Sequence, residues 1–116
     1  MTDSSYSNSD ETMAMIPELS VLIGPEAGKR YPLNKPVITI GRGDDRDVQF
    51  DDRAMSRRHC EVHVRSGAFF IHDTGSPNGI RVNGRETTDQ ELYDGDQLDI
   101  GSIRLIVHIP VPGESS

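Results

Sequence analysis

Cysteine occurs once in this 116-residue chain, tryptophan is missing, and aromatic residues make up 5%. A lone Cys60 excludes an internal disulfide and fits a reducing compartment. No run approaches the roughly 20 apolar residues of a membrane helix, and the N-terminus lacks the basic and apolar regions of a secretory leader. A membrane partner is not expected, and the chain reads as cytoplasmic. A basic excess is also absent. The formal charge is -7, spread unevenly. Residues 1–18 hold Asp3, Asp10, Glu11 and Glu18 with no Lys or Arg, and residues 19–110 hold all 12 basic residues against 14 acidic ones. Without a cationic stripe, a nucleic-acid partner is not expected. There is no second cysteine for a zinc site, no G-x-S-x-G elbow and no glycine-rich nucleotide loop, so no metal, cofactor or catalytic activity is expected.

A sustained 3.6-residue period is lacking as well, and what remains is strand chemistry. With 34% hydrophobic residues, the chain can build one domain with one core, made mostly of Val, Ile and Leu. Met1 to Thr12 is rich in Ser, Asp and Asn and reads as disordered, while the more apolar Met13 to Pro17 is expected to pack loosely. The expected division is an acidic flexible tail over 1–17, a domain over 18–110 and a C-terminal tail over 111–116. Strands are expected at Leu19–Ile23, Lys29–Leu33 (an edge strand, because of Pro32), Val37–Ile40, Val48–Phe50, Cys60–Val64, Ala68–His72, Gln97–Ile100 and Ile103–Ile109. Ser66-Gly67, Asn78-Gly79, Asn83-Gly84, Asp94-Gly95 and Gly101-Ser102 are turn signals. Many short strands at close intervals specify an all-β fold, an antiparallel sandwich or barrel.

Polar residues cluster between these strands. Gly41-Arg42-Gly43 is followed by Ser56-Arg57-Arg58-His59, then by Asp73-Thr74-Gly75-Ser76-Pro77-Asn78-Gly79, then by Val82-Asn83-Gly84. Guanidinium, hydroxyl and amide donors on turns suit an anion, most simply a phosphate on a peptide. In this order and spacing the motifs resemble the forkhead-associated (FHA) domain over about Leu19 to Ile109. The resemblance implies a β-sandwich of about 10–11 short strands that binds a phosphothreonine-containing protein or peptide.

The resemblance also implies roles for single residues. Arg42 and Ser56 make the primary phosphate contacts, the Ser56 backbone N–H is a candidate second donor, and Arg57 assists. Asn78 bonds the peptide main chain, or serves only as a left-handed turn residue before Gly79. Ser76 meets the ligand or holds its own loop. Gly41, His59, Gly79 and Asn83 support the site, His59 by bracing the serine loop. Strand alternation sets His59, Glu61 and His63 on one face and Cys60, a small buried hydrophobe, on the other. Pro77 and Ile80 depart from the hydroxyl residues common at their positions, and Ile80 is expected to pack. Arg53, Ala54, Met55 and the Gly101-Ser102 turn are candidate readers of peptide residues beyond the phosphothreonine.

Thr12 follows two acidic residues in the tail. Small bacterial FHA proteins that regulate metabolism resemble this layout, which implies that a Ser/Thr kinase phosphorylates Thr12 and that the domain then binds its own tail. Against this stand an ordinary solvating tail, a phosphate-independent FHA scaffold in a secretion or regulatory assembly, and, with no third orienting group in view, a hydrolase built on Ser56 and His59.

Overall fold

The computed structural model describes residues 16–110. Residues 1–15 and 111–116, with Thr12 and the tail expectations, lie outside the described residues. Pro17, assigned to the tail by its sequence, is joined to the domain: its carbonyl accepts a hydrogen bond from the Leu33 N–H at 2.9 Å.

Among the described residues eleven strands follow in order: β1 (Glu18–Ile23), β2 (Arg30–Pro32), β3 (Val37–Gly41), β4 (Val48–Gln49), β5 (Cys60–Arg65), β6 (Ala68–Asp73), β7 (Ile80–Val82), β8 (Arg85–Thr87), β9 (Asp89–Leu92), β10 (Gln97–Ile100) and β11 (Ile103–His108). They form two sheets, ordered β2-β1-β11-β10-β7-β8 and β4-β3-β5-β6-β9. All pairings are antiparallel except β3 with β4, where Ile40 faces Val48 and Gly41 faces Gln49 in parallel. That exception follows from the chain's path, since β4 is a two-residue strand reached through a loop that doubles back beside β3. β2 lies at a sheet edge, where its proline leaves no ladder bond unmade.

The core lies between the sheets and is aliphatic. Leu19, Ile40, Val62, Leu98, Ile100, Leu105 and Val107 are all completely buried, and each points inward because strand side chains alternate between faces. Ile80 packs into the same core at 1% exposure, as its apolar side chain requires. Cys60 is equally enclosed, and burial pushes its thiol far above the range where a thiolate forms, so it is an inert core residue.

Two turns use left-handed non-glycine residues. Ser66 (φ 49°) precedes Gly67, and Asn83 (φ 53°) precedes Gly84, the paired positive φ angles of a type I′ hairpin. Asn78 does not share this conformation, so a left-handed turn role does not explain it.

Candidate functional site

The loops that follow β3, β4, β6 and β10 meet at one end of the sandwich, and the close approach of two of them sets the site. The Arg42 N–H donates to the Ser56 carbonyl at 2.9 Å, and the Gly43 N–H donates to the Arg57 carbonyl at 3.1 Å. These two rungs bind the β3–β4 loop to the β4–β5 loop. Gly41 is fully enclosed beneath them: a Cβ there would stand 2.1 Å from the Arg57 carbonyl oxygen.

The Ala54–Ser56 segment is the shared wall of the site. The Arg42 Nε donates to the Met55 carbonyl at 3.3 Å, which leaves the two terminal nitrogens of an exposed guanidinium free. The Asn78 Nδ2 donates to the neighbouring Ala54 carbonyl at 2.7 Å. Ser56 follows directly on this segment, and its hydroxyl has no partner among the described residues. Arg42, Ser56 and Asn78, distant in sequence, are therefore brought onto one short stretch of backbone.

His59 is completely buried and bridges two loops. Its Nδ1 accepts the Ser56 N–H at 3.0 Å, so Nε2 carries the proton and donates to the Gly79 carbonyl at 2.8 Å. The Ser56 backbone N–H, a candidate phosphate donor on sequence grounds, is thus spent internally. The expected grouping of His59 with Glu61 and His63 on one face also fails. His59 precedes β5 and turns inward, whereas Glu61 and His63 share the outer surface, bonded at 2.9 Å.

The β6–β7 loop is held by Asp73, whose Oδ1 accepts the Gly75 N–H at 3.2 Å, the Ser76 N–H at 3.0 Å and the Ser76 hydroxyl at 2.8 Å. The Ser76 oxygen in turn accepts the Gly79 N–H at 3.1 Å. Its hydroxyl is committed to the loop and is not a free donor. Thr74 adds a cross-link, its hydroxyl donating to the Arg58 carbonyl at 2.8 Å. Asp73→Ala removes one acceptor of three bonds, at a net cost of about 1–2 kcal/mol, and lowers the melting temperature by about 4–8 °C or more for a domain of this size. Thermal unfolding followed by circular dichroism checks this, and an unchanged midpoint would refute the assignment.

Other expectations are corrected by position. Met55 is 2% exposed and belongs to the core, so it cannot read a peptide. Asn83 lies at the far end of its sheet, since the β7–β10 pairing sets Ile80 against Ile100 near the site and Val82 against Leu98 away from it. There the Asn83 Oδ1 accepts the Gln97 N–H at 3.0 Å and its Nδ2 donates to Asp96 at 3.0 Å, which supports the β9–β10 turn and not the site. Asp52, not singled out by sequence, ties the β4–β5 loop to the β10–β11 turn by accepting the Ser102 N–H at 2.7 Å and the Ala54 N–H at 3.2 Å. Its signal was an Asp two residues before Ala54, the spacing of an Asx turn.

Charge at this end is asymmetric. Arg42, Arg53, Arg57 and Arg58 are exposed and form no ion pair among the described residues. Asp47 is by contrast engaged: the Lys35 ammonium and the Thr39 N–H hold its carboxyl below the usual carboxylate range, and these bonds pin the β3–β4 loop. A groove of 290 Å³ runs beside Asn78, with Ala54, Gly79, Arg81, Asp99 and Gly101 in its walls.

A family model described as FHA domain matches residues 38–101, a span that includes the β3–β4, β4–β5 and β6–β7 loops. The chain belongs to the FHA-domain family. Over 88 residues it is 42% identical to the oxoglutarate dehydrogenase inhibitor of Corynebacterium efficiens, which covers 76% of this chain and 62% of that protein. It is 41% identical to the glycogen accumulation regulator GarA of Mycolicibacterium smegmatis, again over 76% of this chain and 56% of that one. The matched part is thus under two thirds of the length of either relative. A solved structure from a study of phosphothreonine-dependent FHA domain interactions superposes with a TM-score of 0.77 at 30% identity, covering 83% of this chain and 98% of that one. Arg42, Ser56 and Asn78 all lie within the matched residues 38–101.

Proposed function

We propose that this FHA domain is a non-enzymatic reader of phosphothreonine peptides in Ser/Thr kinase signalling, with Arg42 and Ser56 holding the phosphate, Arg57 assisting, and Asn78 engaging the peptide main chain. The observation that carries this reading is the convergence of Arg42, Ser56 and Asn78 on the Ala54–Ser56 segment, beside exposed Arg53, Arg57 and Arg58 that, like Arg42, form no ion pair among the described residues. A phosphothreonine brings roughly -1.5 to -2 charges and three acceptor oxygens, and a guanidinium fork matches them. The groove beside Asn78 then receives residues that follow the phosphothreonine, with Ala54 and Gly101 in its walls and Arg53 adjacent to Ala54 in the chain. Catalysis by Ser56 and His59 lacks support, because both His59 ring nitrogens are already bonded. Titration with matched phosphorylated and unphosphorylated peptides tests the reading. Equal binding of both would replace it with a phosphate-independent scaffold.

The relatives' names, an inhibitor of a dehydrogenase and a regulator of glycogen accumulation, support a regulatory role in metabolism. Thr12 in the acidic arm is the proposed kinase target. Its reach is limited. Pro17 is anchored at the end of the sandwich opposite the site, because β1 runs from Glu18, opposite His108, to Ile23, beside the β10–β11 turn. Five extended residues span at most about 18 Å, and the six residues of β1 cover about 17 Å. Closure within one chain therefore needs a nearly straight arm, and capture by a second copy competes with it. Kinase treatment is expected to weaken binding of an added phosphopeptide by at least about tenfold, with Thr12→Ala resistant to the effect. A dilution series separates the two modes, since only capture between copies fades as the protein is diluted. Unchanged affinity after stoichiometric phosphorylation would remove the switch.

A further inference from the structure

The end of the sandwich that carries the exposed arginines also carries a second concavity of opposite character. Pro25 and Glu26 from the β1–β2 loop, Phe50, Asp51 and Asp52 from the β4–β5 loop, and Ile103 at the start of β11 enclose a cavity of 240 Å³. Its floor is apolar: Phe50 and Ile103 are each only 3% exposed. Its rim is acidic, from Glu26, Asp51 and Asp52. Just before the β1–β2 loop, Leu22 and Ile23 are 46% and 50% exposed, on a strand whose register slips between Val21 and Ile23.

Size and charge narrow the occupant. Small-molecule sites run to roughly 300–1,000 Å³, so this cavity suits one large apolar side chain and not a metabolite. Glu26 has one distant ion pair, with Lys29 at 3.7 Å, and neither Asp51 nor Asp52 has any among the described residues. The chain's own acidic arm, with Asp3, Asp10 and Glu11 and no basic residue, is repelled by such a rim.

We infer that the Pro25–Phe50–Ile103 pocket is a docking site, independent of phosphate, for a partner-protein segment that presents an apolar side chain between Lys or Arg residues. Its acidic rim pairs with the flanking cations. Asp52 connects this pocket to the phosphate face, because its carboxylate accepts the Ala54 N–H while the Ala54 carbonyl accepts from Asn78 Nδ2. One partner can then occupy both places, and the second contact becomes effectively intramolecular. The inference goes beyond phosphopeptide reading and does not require it.

The test titrates the isotopically labelled full chain with an unphosphorylated acetyl-Gly-Arg-Leu-Lys-Gly amide and follows backbone amide resonances. Matched peptides replace Leu by Ser, or both cations by Glu. The expected result is shifts centred on Glu26, Asp51, Asp52 and Ile103 for the first peptide alone, weakened about tenfold by Asp51→Lys and reduced at high salt. Binding of a phosphothreonine peptide by the same Asp51→Lys protein, run in parallel, should be unchanged, so failure of one reading does not pass for failure of the other. Shifts confined to Arg42, Ser56 and Asn78, equal shifts with the Glu-flanked peptide, or no shifts at all would overturn the inference. So would concentration-dependent shifts at the pocket without any peptide, which would assign it to a second copy.

Discussion

Arg42→Ala is expected to weaken phosphothreonine-peptide binding by about 100-fold with the fold intact. A hydrogen bond to a charged group contributes roughly 1.5–3 kcal/mol, and a bidentate guanidinium makes two, so a loss near 3 kcal/mol corresponds to about two decades of affinity. The protein itself loses little. The Arg42 side chain is exposed, and within the domain it makes one bond, from Nε to the Met55 carbonyl at 3.3 Å. The rungs that shape the loop run through the backbone N–H groups of Arg42 and Gly43 and survive truncation. Arg42→Lys keeps the charge but not the planar fork and should fall between the two. Calorimetric titration of all three proteins, with melting temperatures alongside, decides the matter. Wild-type affinity in Arg42→Ala would end the phosphate assignment.

Gly41→Ala is expected to cost about 3 kcal/mol or more in stability and to lower the melting temperature by about 10–20 °C. The reason is space and not backbone strain, since Gly41 is not among the glycines with positive φ. The added methyl would meet the Arg57 carbonyl oxygen at 2.1 Å, its carbon at 2.8 Å and the Ser56 carbonyl oxygen at 3.0 Å. None of these is the end of a flexible side chain. The two oxygens are the acceptors of the Arg42 and Gly43 N–H bonds, so relief of the clash must part the two loops and displace Ser56 from Arg42. Gly84→Ala is the control: its turn is open, with nothing within 4 Å, but its φ of +83° brings a mild penalty of about 1 kcal/mol. Equal destabilisation of both variants would show that crowding at Gly41 is not what matters.

Much of the architecture could be read from alternation and punctuation. Expected Leu19–Ile23 and Gln97–Ile100 match β1 and β10 to within one residue, because apolar residues every second position and flanking turns leave little choice. β7, β8 and β9 could not be delimited. R-E-T and D-Q-E-L carry almost no apolar alternation, and such strands exist only because neighbours supply ladder partners. The site was legible as a set of donor residues in order. How each donor is used was not, because a hydroxyl in a loop can serve a ligand or its own backbone equally well. Ser76 turned out committed to Asp73 and Gly79, while the Ser56 hydroxyl has no partner among the described residues.

By itself, the sequence determined the all-β class, the turns at Ser66-Gly67 and Asn83-Gly84, and the residue types able to meet a phosphate. These follow from local rules of periodicity, φ preference and charge. Tertiary structure alone decided that Met55 is core, that Asn83 stands at the far end, and that His59 consumes the Ser56 N–H to link two loops. Those outcomes depend on which distant backbone groups come within 3 Å of one another, and no local pattern encodes that distance.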